Sequence, residues 1–224
     1  MASWFTKAPR GLYGAEVAIT LDELTVADAP AAWRDCGFEV AGEECVVGEV
    51  HMRFVAPAGA RGIVGWSLRG VASTDLDGLP TVVGERPPPQ GAPEHPNGIT
   101  AIDHVVAISS DLDRTVRALE AAGLDLRRIR EEPTPAGAPR QAFFRVGAPI
   151  LEVVQEPAEA TEKAGGDRPA FFWGLALVSP DLERTAAFLG DRVGEARDAV
   201  QPGRRILTLR RGAGLSVPVA LMTP

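Results

Sequence analysis

Two residues of this 224-residue chain, His104 and Glu152, have the types and surroundings that suit chemistry. His104 opens the apolar run that continues to Ile108, and Glu152 interrupts the apolar run Pro149–Val154. A carboxylate inside such a run is costly to bury without a partner or a purpose. If both side chains point into one cavity, Glu152, its pKa raised by desolvation, abstracts a proton and His104 relays or donates one. Toward a divalent metal the same pair offers one imidazole and one carboxylate. A catalytic metal site needs at least three protein ligands and an open position, so this set is incomplete and no tightly bound cofactor is expected. His51 and His95 are the other histidines, and nothing in their spacing brings them near His104. The plainer alternatives stay open: a strand histidine hydrogen-bonded inside the fold, and a carboxylate on an open strand face.

The elements that must position this pair belong to an internal repeat. Ile102–Leu119 recurs as Phe172–Leu189, sharing Ser109/Ser179, Asp111/Asp181, Leu112/Leu182, Arg114/Arg184, Thr115/Thr185 and Leu119/Leu189. In both copies a β-type apolar run leads into a helix, capped by Ser109 or Ser110 in one and by Ser179 with Pro180 in the other. Leu124–Arg130, Gln141–Val146 and Pro149–Gln155 then read as three strands, with a turn at Pro133–Pro139. The module is βαβββ. Its second copy continues through Arg204–Arg211 and Leu215–Met222. The N-terminal part follows the same order more loosely: a strand over Glu16–Val26, a helix with Asp28 as cap, Pro30 in its first turn and Gly37 at its end, and strands at Val46–Val55 and Ile63–Val71. The expected organisation is an N-terminal module over 1–77, a Pro-rich linker over 78–97, modules at 98–156 and 170–224, and a polar linker at 156–169. An odd module has an apolar sheet face that needs a partner, which points to a homodimer, with a monomer whose N-terminal module folds back onto residues 98–224 as the competing outcome.

Composition narrows the partners. A net charge of −7 with no long basic run argues against nucleic acid. No apolar run approaches the roughly 20 residues that span a bilayer, so no membrane is expected and the setting is read as cytoplasmic. Cys36 and Cys45 form no CxxC or zinc-spaced cluster and read as packing residues. A small molecule is the expected partner. Around it Trp173 offers an apolar wall, while Gln201, Arg204 and Arg205 offer contacts to an anion or carbonyl, with Arg140 at the repeat-equivalent position of Arg204. For the arginines, solvated strand-end charge is the competing reading. Phe143, Phe144 and Phe172 read as core, and Asn97 as a turn residue or a pocket rim.

The tandem βαβββ units, the start Asp103-His104-Val105-Val106, the S-x-D-L helix entry and the strand Ile150-Leu151-Glu152-Val153-Val154 resemble the vicinal oxygen chelate superfamily, the glyoxalase, bleomycin-resistance and extradiol-dioxygenase group. The resemblance covers residues 98–224 by motif and 12–72 by element order. It implies an α+β fold in which tandem βαβββ modules form a curved, incomplete mixed β-barrel with helices outside. It also implies a divalent metal held by a histidine and a glutamate from each module. Here that transfers to His104 and Glu152 alone, since Gly174 and Val217-Pro218-Val219-Ala220-Leu221 stand at the corresponding places of the last module. The function it implies is an isomerase, lyase or epimerase, or else a non-catalytic small-molecule binder of the drug-sequestering kind.

Overall fold

The computed structural model describes residues 18–134 and 137–224. The lead before residue 18, with Glu16 and Val17 of the first expected strand, and the middle of the Pro133–Pro139 turn lie outside the described residues. The first half holds β1 (Thr20–Val26), α1 (Pro30–Asp35), β2 (Val40–Ala41), β3 (Glu44–Val47), β4 (Val50–Phe54), β5 (Ile63–Arg69) and β6 (Thr81–Val83). The second half holds β7 (Ala101–Ser109), α2 (Leu112–Ala121), β8 (Asp125–Arg130), β9 (Gln141–Arg145), β10 (Ile150–Gln155), α3 (Ala158–Lys163), β11 (Phe171–Val178), α4 (Leu182–Leu189), β12 (Arg197–Asp198), β13 (Arg205–Thr208) and β14 (Val219–Met222).

The second half forms one eight-stranded mixed sheet in the order β12-β13-β14-β11-β7-β10-β9-β8, curved and unclosed with helices outside. Its centre is the antiparallel pair β7/β11, and each of these strands carries the last strand of its own module in parallel, β10 on β7 and β14 on β11. His104 pairs with Ala176 and Val106 with Gly174. That reciprocal pairing is what a twofold axis requires if His104 corresponds to Gly174 and Val106 to Ala176.

The first half forms a six-stranded sheet in the order β2-β3-β4-β1-β5-β6. Its centre is again an antiparallel pair, β1/β5, flanked by parallel β4 and β6. β5 is therefore the first strand of a further, shortened module. Two small residues mark the match: an added Cβ at Gly65 would lie 3.3 Å from Pro80 O, and one at Gly174 would lie 2.8 Å from Pro218 O. The segment between β5 and β6 has no helix and instead buries Leu76 and Leu79 against the core. The Pro-rich stretch expected as linker thus begins with a sheet strand, and the stretch 156–169 contains α3.

This half-module removes the premise for a second chain. The apolar face expected to seek a homodimer partner is covered within the chain, because one contiguous cluster of buried apolar side chains runs through both sheets. Trp66 on β5 meets Phe172 on β11 edge-on at 5.0 Å between ring centroids. The first half docks on the helical side of the eight-stranded sheet: Asp77 accepts from Arg114 Nε at 2.7 Å and from Thr115 Oγ1 of α2, and Thr185 Oγ1 of α4 donates to Asn97 O at 2.7 Å.

The helix caps differ from the expected ones. Asp111 caps α2 by accepting from Arg114 N at 2.9 Å, and Asp181 caps α4 through Arg184 N at 2.9 Å. In S-x-D-L the serine lies too deep: Ser109 and Ser179 are fully buried and share hydrogen bonds with Thr115 and Thr185 across the first turn. Asp28 makes no cap to α1; its carboxylate accepts instead from Trp33 Nε1 at 3.1 Å and from Ser216 N at 3.0 Å. Replacing Asp111 by alanine is expected to cost about 1 kcal/mol in a urea melt, and replacing it by asparagine markedly less, because the asparagine oxygen still accepts from Arg114 N.

Candidate functional site

Strand alternation decides which side chains face the cleft. On β10, Leu151 and Val153 are fully buried in the core, which turns Glu152 to the opposite face; on β9, Ala142 and Phe144 do the same for Gln141, Phe143 and Arg145. On β7 the pairing with β11 steps from Ile102↔Leu177 to His104↔Ala176, so Asp103 is an extra residue in a β-bulge. The bulge brings the Asp103 carboxylate to the cleft beside His104. The cleft has a volume of about 350 Å³, with Phe143, Ile150 and Val178 among its apolar walls and Asp103, His104, Glu152, Arg145, Gln201 and Arg204 as its polar ones.

The polar groups form one line. Arg204 donates through Nη2 to Asp103 Oδ1; Asp103 Oδ2 lies 2.7 Å from His104 Nδ1; His104 Nε2 lies 3.2 Å from Glu152 Oε2; and Gln141 Nε2 donates to Glu152 Oε1. Between 14% and 19% of the Asp103, His104 and Glu152 side chains is exposed, enough for a ligand in the cleft to reach them. Burial pushes the Asp103 carboxyl up, but hydrogen bonds from His104 and Arg204 outweigh it and hold the group below the ordinary aspartate range. Burial also raises Glu152, and here it wins against the pull of His104 and the Gln141 hydrogen bond. Asp103, the more acidic of the two carboxyls, thus faces Nδ1 of His104, and Glu152, the less acidic, faces Nε2.

The raised Glu152 has a thermodynamic signature. A buried acid with an elevated folded pKa contributes stability that is complete below its unfolded value and declines as pH rises through the folded one. Glu152→Gln stays neutral throughout. It is expected to melt at a higher temperature than the wild type at about pH 7, with the gap closing toward about pH 4 in a calorimetric pH series.

Of the residues expected at the site, His104, Glu152, Gln201 and Arg204 come together in the cleft. Arg205 and Arg140 do not. Arg205 pairs with Glu183 of α4, and Arg140 binds Glu131 at 2.7 Å and Asp113 at 3.0 Å on the outer surface. The expected equivalence of Arg140 with Arg204 is off by one residue: Gln155 N bonds Arg140 O as Thr223 N bonds Arg205 O, so Arg140 corresponds to Arg205, and the strand alternation that turns both outward puts Arg204 on the cleft face. Trp173 sits in a bulge of β11 at the place corresponding to Asp103, 49% exposed and outside the cleft lining. Phe143, expected as core, faces the cleft, whereas Phe144 and Phe172 are buried. Asn97 is a turn residue: it is buried, donates to Cys36 O at 2.9 Å and accepts from Ile99 N. Asp103, Gln141 and Arg145 were missed; the signal for the first was its place beside His104 in an apolar strand.

The first half carries the same geometry with different chemistry. Asp22 is the bulge residue of β1, and Glu23 and Arg53 occupy the places of His104 and Glu152. Arg53 Nε bonds Glu23 at 2.8 Å, Arg86 reaches across to Glu23 and Glu44, and Arg69 pairs with Asp22 at 2.6 Å. Its own side chains therefore pair with one another on this face. His51 is buried on the same sheet, and His95 bridges Glu39 N and Val46 O at 3.1 Å, so neither belongs to the cleft.

The donors at the cleft do not fit a metal. Both ring nitrogens of His104 face carboxylates, and among the described residues no group of three or more His, Cys, Asp or Glu is placed to hold an ion. Gly174, at the place of His104 in the last module, is pressed against Pro218 O, and Ala220 stands at the place of Glu152. Also among the described residues, no helix is long and apolar enough to cross a membrane.

No family model matches the chain, and no curated protein matches its sequence. Solved structures do. A methylmalonyl-CoA epimerase from Mycobacterium tuberculosis aligns at 22% identity over 57% of this chain and 89% of its own, with a TM-score of 0.46. A Streptomyces coelicolor methylmalonyl-CoA epimerase in complex with 2-nitronate-propionyl-CoA aligns at 25% identity over 56% and 97%, with a TM-score of 0.45. A xylose isomerase-like TIM barrel/4-hydroxyphenylpyruvate dioxygenase fusion protein aligns at 13% identity over 97% of this chain, with a TM-score of 0.61; the chain spans 51% of that protein's length. The last match takes in both halves, six-stranded and eight-stranded sheets together, and with the module order described above it gives the chain the fold of the vicinal oxygen chelate, or glyoxalase-like, superfamily.

Proposed function

We propose that the cleft between modules 98–156 and 170–224 is a proton-transfer site of the isomerase, epimerase or lyase kind, acting on a small carbonyl compound. The observation that carries this is the line Arg204–Asp103–His104–Glu152–Gln141, which ends on a buried, reachable glutamate of raised pKa. Glu152 removes the proton from carbon α to the carbonyl. Desolvation has made it a stronger base than an ordinary carboxylate, and only its ionised form serves. His104 stands beside it as a second proton carrier, held in orientation by Asp103, so that a proton is returned to carbon or to the carbonyl oxygen without leaving the cleft. Gln201, which also lines the cleft, supplies an amide for that oxygen.

The second reading, a binder that sequesters an apolar compound, is favoured by the apolar part of the lining, Ala101, Ile102, Phe143, Ala148, Ile150 and Val178. Solvent-deuterium exchange separates the two. Proton NMR in heavy water is expected to show the wild type accelerating exchange α to the carbonyl in a series of small ketones and 2-oxo acids. Tight binding without any accelerated exchange would favour the binder.

A further inference from the structure

We infer that Arg145 is the residue that selects the substrate, by taking a carboxylate, and that the cleft therefore prefers a small carboxylic acid whose acidic C–H lies within a few bonds of that carboxylate. This rests on the proton-transfer reading of the cleft. A charge inventory of the walls leads to it. Arg204 is committed to Asp103 and, through Nε, to Thr223 O at 2.7 Å. Arg130, close enough to Glu152 to lower its pKa, has Glu132 at 3.9 Å. Arg145 lines the cleft, and its guanidinium makes a single long contact, to Gly147 O at 3.4 Å; the carboxylate opposite it on β8, Asp125, is taken by Arg127 at 3.0 Å, and no carboxylate among the described residues pairs with Arg145. In a chain with 30 acidic side chains against 23 lysines and arginines, a cation left unpaired on a cleft wall offers a ready site for an anion.

Its position agrees with the chemistry next to it. Arg145 pairs with Ile150 across β9/β10, and Phe143, two residues along the same face, pairs with Glu152. Two residues of strand separate these pairs by about 7 Å. A carboxylate beside Glu152 itself would be repelled, whereas one on Arg145 is neutralised and holds the next carbons over the apolar strip of Phe143 and Ile150, toward Glu152 and His104. Guanidinium accepts a carboxylate by two parallel hydrogen bonds, which fixes orientation as well as position.

The test uses the full chain and two probes, 2-oxobutanoate and its methyl ester, identical in the C–H that exchanges and different in the carboxylate. Deuterium exchange is followed by NMR and binding by calorimetry, for the wild type, Arg145→Gln, Arg145→Lys and Glu152→Gln. The wild type is expected to favour the acid over the ester in both readouts. Arg145→Gln is expected to reduce that preference by about tenfold, largely through KM, and Arg145→Lys to restore part of it. Equal binding of acid and ester by the wild type, or a preference that survives in Arg145→Gln, overturns the role of Arg145. If no probe exchanges faster than in buffer, or Glu152→Gln exchanges as the wild type does, the proton-transfer reading fails instead. The binding comparison still decides the role of Arg145 in that case.

Discussion

Glu152→Gln is expected to lower the rate of α-proton exchange by about 10³-fold, in the middle of the range over which a positioned general base acts. Glutamine has nearly the same shape, and its amide still meets Gln141 and His104, so the loss reports the missing base rather than a collapsed cleft. The pH profile adds an independent check. Because burial raises Glu152, the acid limb of kcat/KM for the wild type is expected above the ordinary glutamate value, with activity growing as pH rises through the raised pKa. His104→Asn is expected to lose less, since Asn keeps a polar group beside Glu152 but carries no proton. Exchange by Glu152→Gln within tenfold of the wild type, with an unmoved acid limb, would remove Glu152 from the chemistry and leave the cleft as a binding site.

Where the sequence foretold the structure, the signal was a long one. The S-x-D-L-x-R-T repeat aligned two modules, and the family resemblance of those modules placed a first-strand histidine beside a last-strand glutamate, as His104 and Glu152 lie on the paired strands β7 and β10. The shortened fourth module was not legible, because its kinship lies in strand order and in two close approaches, Gly65 on Pro80 and Gly174 on Pro218, that mean nothing until the strands are paired. Counting three modules was the consequence, and the inference of a homodimer followed from that count. The partners of His104 were hidden for a related reason. Asp103 reaches the cleft because a bulge breaks the two-residue alternation, and strict alternation would have turned it into the core. The pairing of Arg140 with Arg204 was one residue out of register: the strands match Arg140 to Arg205, both turned outward to carboxylates, and leave Arg204 on the cleft face, where it meets Asp103.

Trp66→Ala is expected to destabilise the whole chain by about 4 kcal/mol and to do so in a single unfolding transition. Trp66 is almost wholly buried, donates from Nε1 to Thr81 Oγ1 at 2.7 Å and packs edge-on against Phe172. Truncation therefore opens a cavity at the junction of the two sheets and removes the side-chain hydrogen bond that ties β5 to Thr81 of β6. Trp66→Phe, which keeps the ring contact and loses the N–H, is expected to cost roughly half as much. The form of the melt matters as much as its midpoint. One cluster of buried side chains joins β1–β6 to β7–β14, and backbone hydrogen bonds cross between them at Leu21 N to Val146 O and Ala170 N to Asp77 O. Damage at Trp66 should therefore lower hydrogen-exchange protection on β10, far along the second sheet, as much as on β5. Loss of protection confined to β1–β6 would show that the six-stranded sheet opens by itself and that the cleft strands hold their geometry without it.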